Sequence, residues 1–408
     1  MLSSRLLRPL ASVAFGLVLL GAVRLEAGTE YKVLHSFGGK PDGGGVYAGL
    51  AIDGEGNLYG TTCCGGAYGY GTAFELIPSS DGQWTEIILH SFCATSRCDD
   101  GALPRTTPVL DSQGNLYGAS NVATFEMKRS ADGWTFLIVC DCISPSVFDS
   151  AGNLYGIGGP GTHIAGAVAE LSPLDVVWTN TTYTLLYSFC SWPPNCRDGE
   201  PPEWGLSWDA AGNLYGATEF GGDHSAPECS PNCGVVYQLQ ALGGKRKYHR
   251  LHSFAAFEGD GVLPQAGVTV DSRGNVYGTT LYSTASSGTV FELSPQQDGS
   301  WKETILYDFP NPEKNGGAPA GGVTFDNHGN LYGTASAGGD PNCSCGVVFK
   351  MTPQANGKWS YTVLHRFQGT DGVGPGYNLI FDKDYKHLYG TTVEGGSGGY
   401  GVVYEITP

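Results

Sequence analysis

Charged side chains are scarce in this chain. Only 15% of its residues are Asp, Glu, Lys or Arg, and 22 basic residues face 39 acidic ones. The net charge of −17 leaves no basic footprint for phosphates, so nucleic acid is not an expected partner. Beyond the N-terminal segment there is no second long apolar run, which excludes a further membrane-spanning helix. No window there holds a sustained helical period either. The signatures Gly-x-Ser-x-Gly, His-Glu-x-x-His and the P-loop are all missing. Glycine, by contrast, is abundant at 63 residues, and 12% of the chain is aromatic. That composition belongs to a turn-rich β-protein, because a disordered chain would lack the rings.

The first 27 residues have the layout of a secretory signal peptide. Arg5 and Arg8 precede an apolar run from Pro9 to Ala22, and Leu25-Glu26-Ala27 offers a small residue before a cut. An uncleaved N-terminal anchor is the competing reading. The expected location is outside the cytoplasm: secreted, periplasmic or at the cell surface. Cysteine usage agrees, with 12 in total and close pairs at Cys93/Cys98, Cys190/Cys196 and Cys229/Cys233. In an oxidising compartment these are candidate disulfides stapling loops. Zinc ribbons need two such pairs brought together, and these pairs lie in different repeats, so no metal site is expected from them. Cys140/Cys142, Cys343/Cys345 and the adjacent Cys63-Cys64 would make strained internal bridges, which leaves their pairing open.

Internal repetition is the main signal. Gly-Asn-Leu-Tyr-Gly stands at Gly56–Gly60, Gly114–Gly118, Gly152–Gly156, Gly212–Gly216 and Gly329–Gly333. Gly274–Gly278 carries Val276 for leucine, and Lys386–Gly390 is a degenerate seventh copy. Around each copy lie four short β-branched and aromatic runs bounded by Gly, Pro, Asp or Asn. Four strands repeated seven times describe a seven-bladed β-propeller over residues 31–408. Tyr31–Phe37 is a fourth-type strand without its first three, and Gly401–Ile406 is a third-type strand without its fourth. The N-terminal strand is therefore expected to complete the last blade and close the ring.

The repeated Leu-His-Ser-Phe, Asp-x-x-Gly-Asn-Leu-Tyr-Gly-Thr and Gly-Val-Val-Phe-Glu-Leu elements resemble the GloVer tandem-repeat family of exported bacterial proteins. The resemblance covers nearly everything after residue 30 and implies no established activity or catalytic residues. Members of that family carry variable C-terminal anchors, and no such module is visible here. A weaker likeness, through the Asp-x-x-Gly-Asn turn, is to NHL and virginiamycin-lyase propellers.

Most of the recurrent polar residues have a structural explanation. Asp209-Ala210-Ala211-Gly212-Asn213 and its copies offer two side-chain ligands and a turn glycine, too few oxygens for calcium and right for a tight turn. His35, His90, His252 and His365 of the fourth strand alternate with Tyr187 and Tyr307, which points to packing with a hydrogen-bonded edge rather than to zinc ligation. The loops are more informative. In this strand order, the links between blades and those from second to third strand share one face. That face holds the candidate ligand-binding residues Asp42, Asp100, Asp198, Asp260 and Asp371, with the rings of Trp192, Trp204, Tyr68 and Tyr70. An Asp-Gly turn before the next blade is the simpler role for the aspartates.

The expected function is a non-catalytic extracellular binding module, a monomer taking a glycan or protein ligand on the loop-rich face. No catalytic residue, metal ligand or cofactor is expected, and the turns give no indication of bound calcium. A propeller enzyme acting on a polysaccharide, lyase or glycoside hydrolase-like, is the runner-up, and a structural cell-surface protein the third class.

Overall fold

The computed structural model describes residues 28–158, 166–173, 181–191, 196–223, 233–255, 260–283 and 285–408; the expected signal peptide lies outside them. Seven antiparallel four-stranded sheets form the blades of a propeller. Blade 1 runs through Ala51–Ile52, Leu58–Thr62, Thr72–Pro78 and Trp84–Ser91, from the innermost strand to the outermost. Blades 2 to 6 repeat this order, ending on the outer strands Gly133–Cys140, Thr181–Ser188, Lys245–Ser253, Trp301–Asp308 and Trp359–Arg366. Blade 7 takes its three inner strands from Ile380–Phe381, Leu388–Thr391 and Val402–Thr407, and its outer strand is Glu30–Ser36. Glu30 pairs with Thr407 and Ser36 with Val402, so the ring closes through the strand order foreseen from the sequence. A single helical turn, Pro312–Asn315, is the only helix among the described residues, and none there is long and apolar enough to cross a membrane.

The repeat motif is explained by one turn. Asp53 Oδ1 accepts the backbone N–H groups of Glu55 and Asn57, while Oδ2 accepts the Asn57 amide and the Tyr59 hydroxyl. Gly56 sits at φ 90°, where a side chain is disfavoured. The same set recurs at Asp111, Asp149, Asp209, Asp271 and Asp326, and Asp382 with His387 and Lys386 forms the seventh version. Burial alone would raise these carboxyls. The donated bonds outweigh it and hold Asp53, Asp149, Asp209, Asp271 and Asp326 below their ordinary range.

Packing runs between blades, with one apolar cluster in each of the seven interfaces. Tyr215, Val236 and Phe254 of blade 4, for example, meet Val276, Phe291 and Leu293 of blade 5. Second and third strands are buried on both sides, which is why they read as near-continuous apolar runs. The glycine after the motif tyrosine is demanded by the next strand: a Cβ on Gly333 would come within 2.5 Å of the Phe349 ring.

Two outcomes are expected. Gly333→Ala should destabilise the ring by about 1–3 kcal/mol through overpacking, read as a lower urea midpoint. Deleting residues 28–37 leaves Val402–Thr407 as an open edge. Calorimetry should show a lower Tm and gel filtration a concentration-dependent association, both reversed by adding the missing strand as a peptide.

Candidate functional site

Glycine, proline and backbone hydrogen bonds build the loop-rich face. The links between blades pair with the second-to-third-strand loops: Gly43–Gly44 with Cys64–Gly65, Gly261–Val262 with Tyr282–Ser283, and Val373 with Glu394. Leu103 and Leu263, each before a proline, adopt positive φ and donate their N–H groups to Tyr70 and Cys233 of the preceding blade's loop. Loops tied in this way form a fixed rim rather than free tails.

Within the rim lies a funnel of about 840 Å³ on the ring axis. Its walls are the starts of the first strands and the ends of the second strands, contributing Thr106, Thr107, Ser120, Asn121, Gln265 and Asn378 among others. Arg105 is the one charged side chain in the lining among the described residues. Its guanidinium lies 4.8 Å from the centre of the Tyr47 ring, which meets Tyr377 edge-on. Outside the funnel's lining, Tyr68, Tyr70, Tyr282 and Tyr400 stand on second-to-third-strand loops of the same face, each about half exposed. Tyr385, on the opposite face, is the other strongly exposed ring among the described residues.

The loop aspartates occupy another place. None of the five lines the funnel, and each belongs to a separate blade junction near the outer strand. Asp100 and Asp371 accept from His90 and His365 at 3.0 and 2.9 Å and also from backbone N–H groups. Asp198 is fully buried and accepts from the Tyr187 hydroxyl and the Ser191 N–H. Asp42 and Asp260 hold their loops through Gly38, Gly43 and Ala255. Trp192 lies outside the described residues, as does the Trp204 side chain.

The cysteine staples are present at Cys93–Cys98 and Cys190–Cys196. Cys233 is disulfide-bonded, and Cys229 lies outside the described residues. Cys140–Cys142 and Cys343–Cys345, left open by the sequence, bridge internally. Cys63 and Cys64 are free thiols in mutual contact, and burial pushes Cys63 up to about 12.

Two junctions differ from the others. His35 Nε2 lies 3.4 Å from Asp42 and 3.6 Å from Glu86 of the next blade; His252 lies 3.5 Å from Asp260 and 3.6 Å from Glu303. Burial raises Glu86 to about 8, with His35 opposing and Asp42 adding to the rise. Burial likewise raises Glu303 to about 7. It pulls the two histidines down, but the facing carboxylates outweigh it and raise both. At His90 and His365 burial wins and lowers them.

The sequence matches the Gloeobacter/Verrucomicrobia repeat over residues 141–310 and 285–408, well over half of the chain. The chain belongs to that family. No curated protein matches it. Among solved structures it is similar to a candidate 6-phosphogluconolactonase of Bacteroides uniformis, at 11% identity over 78% of this chain and 84% of that one, with a TM-score of 0.50. A gluconolactonase of Xanthomonas campestris shows 14% identity over 74% and 85% of the two chains, with a TM-score of 0.43. A carbohydrate-active enzyme of family AA12 from Trichoderma reesei shows 11% identity over 93% and 96%, with a TM-score of 0.42. Identities this low speak to the fold alone.

Within this Gloeobacter/Verrucomicrobia repeat protein, Arg105, Tyr47, Glu86 and Glu303 escaped sequence reasoning. The signal was present for the glutamates. Where other outer strands carry Phe or Tyr, as in Trp359-Ser360-Tyr361, two carry Trp84-Thr85-Glu86 and Trp301-Lys302-Glu303.

Raised groups contribute stability at low pH that disappears as pH climbs through their folded values. Glu86, Glu303 and their histidines all act in that sense. In metal-free buffer, their contribution to Tm by calorimetry should fall between pH 4.5, the ordinary glutamate value, and about 8, while the lowered His90 and His365 act in the opposite sense. Glu86→Phe with Glu303→Phe should flatten that slope.

Proposed function

We propose that this chain is an exported, non-catalytic binding module that takes a hydroxyl-rich ligand, an oligosaccharide, into the loop-face funnel. The observation carrying this reading is the funnel's chemistry. Thr106, Ser120, Asn121, Gln265 and Asn378 set hydroxyls and amides within a more extensive apolar lining that includes Leu103, Ile157, Leu206 and Val393, with a single cation at Arg105. Such groups donate and accept in the pattern sugar hydroxyls need, while Tyr68, Tyr70, Tyr282 and Tyr400 offer apolar faces for ring stacking at the rim. Hydrolysis of a glycosidic bond calls for two carboxyl groups flanking it, and the described lining supplies Arg105 as its one ionisable group apart from the Tyr377 phenol. The local disulfides support the export part of the reading.

A glycan array probed with the full chain, with and without calcium, tests it. Binding to one glycan class should appear without calcium. Arg105→Ala and Tyr70→Ala should each weaken that signal about tenfold, the loss of roughly 1.4 kcal/mol, with Tm unchanged. Silence across the array, or retained binding in both variants, would remove this reading.

A further inference from the structure

We propose that the loop-rich face carries two repeat-related sites for a divalent transition-metal ion, His35/Asp42/Glu86 between blades 7 and 1 and His252/Asp260/Glu303 between blades 4 and 5.

The first support is the register. Glu86 and Glu303 pair with Leu76 and Leu293 of the third strand. At the same register Tyr31 pairs with Ile406, Phe136 with Met127, Tyr248 with Leu239 and Tyr361 with Met351. Those four rings stack on the latch residue of the preceding blade: Tyr31 on His365, Phe136 on His90, Tyr248 on Tyr187 and Tyr361 on Tyr307. In the two exceptional junctions a carboxylate takes the place of the stacking ring and faces the imidazole. The ring contact is thereby exchanged for a part-buried ion pair, a costlier arrangement than the stacked pair of the other junctions.

The second support is the spacing. Where a ring stacks on the histidine, His–Asp closes to a hydrogen bond of 2.9 or 3.0 Å. In the two glutamate junctions the same pair stands open at 3.4 and 3.5 Å, with Glu at 3.6 Å. Ligands about 2.0–2.1 Å from a tetrahedral ion are separated by about 3.3–3.4 Å. In each group the two edges that meet at the histidine therefore lie near the edge length of a coordination polyhedron, and all three donors lie within 4.8 Å of one another.

A third support is the lack of satisfied bonds. His35 Nε2, His252 Nε2, Glu86 Oε1, Glu303 Oε1 and Asp260 Oδ1 are shielded from solvent and have no hydrogen-bond partner. Backbone N–H groups already orient the aspartates, from Gly38 and Gly43 in one site and Ala255 in the other. One imidazole and two carboxylates suit zinc or its neighbours, with a further coordination position for water. Calcium, which needs six or more oxygens, does not fit. The Cys190/Cys196/Glu200 group is different, because those sulfurs are bonded to each other.

The test is calorimetric titration of chelator-stripped full chain with Zn²⁺ near neutral pH. Two ions per chain should bind, with proton release. Glu86→Phe and Glu303→Phe, which copy the ring-bearing junctions, should each remove one, and the pair both. Co²⁺ should give visible absorption typical of four- or five-coordination in the wild type and lose it in the double variant. Millimolar Ca²⁺ should not compete. No uptake by the wild type, or uptake unchanged in the double variant with its circular dichroism preserved, would overturn the proposal.

Discussion

Each blade hangs on a part-buried aspartate that collects its bonds from within seven residues of chain. A carboxylate withdrawn from water must be repaid in donors, and Asp53 finds them in two backbone N–H groups, an amide and a phenol. From that requirement the motif follows. Glycine must turn the chain at positive φ, asparagine must reach back, and tyrosine must point its hydroxyl to the turn while its ring fills the junction between blades. The tyrosine in turn fixes the second strand, whose next residue must be glycine, in six blades to admit the aromatic ring of the third and in blade 3 to clear the Ser144 carbonyl. Seven repetitions of one local constraint produce the architecture.

The opposite end of six blades obeys a looser rule, blade 2 having the Cys140–Cys142 bridge instead. There the outer strand meets the next link through a histidine or tyrosine latched to an acidic or amide side chain, as in His90–Asp100, Tyr187–Asp198 and Tyr307–Asn315. What backs the latch varies from junction to junction, usually a ring and twice a carboxylate. Variation at this level costs the fold little, because the core of each junction is filled by other residues. The face is thus free to diversify its chemistry on a frame that the turns hold rigid.

Architecture was legible because it is repeated. Five copies of Asp-x-x-Gly-Asn-Leu-Tyr-Gly, two degenerate ones and the split blade at the termini each state the ring independently, and Tyr31–Phe37 foretold its closure. The structural reading of the turn aspartates was legible for the same reason. The funnel was not, since Arg105, Tyr47 and Tyr377 come from different links and meet only around the axis. Glu86 and Glu303 were hidden differently: their Trp-x-Glu runs depart visibly from Trp359-Ser360-Tyr361, but only the structure shows that each faces a histidine from the preceding blade. The aspartates of the Asp-Gly links looked like a ring of ligands in one dimension, yet they are spread one to a junction.

Closure through the N-terminal strand also gives the molecule a polarity. Glu30 and Thr407 are neighbours at the tight-turn end of blade 7, beside the Asp-x-x-Gly-Asn turns. The two ends of the described chain therefore stand on the side opposite the funnel. A tether at either terminus would hold the ring like a dish on a stalk, its mouth turned away from whatever it is attached to.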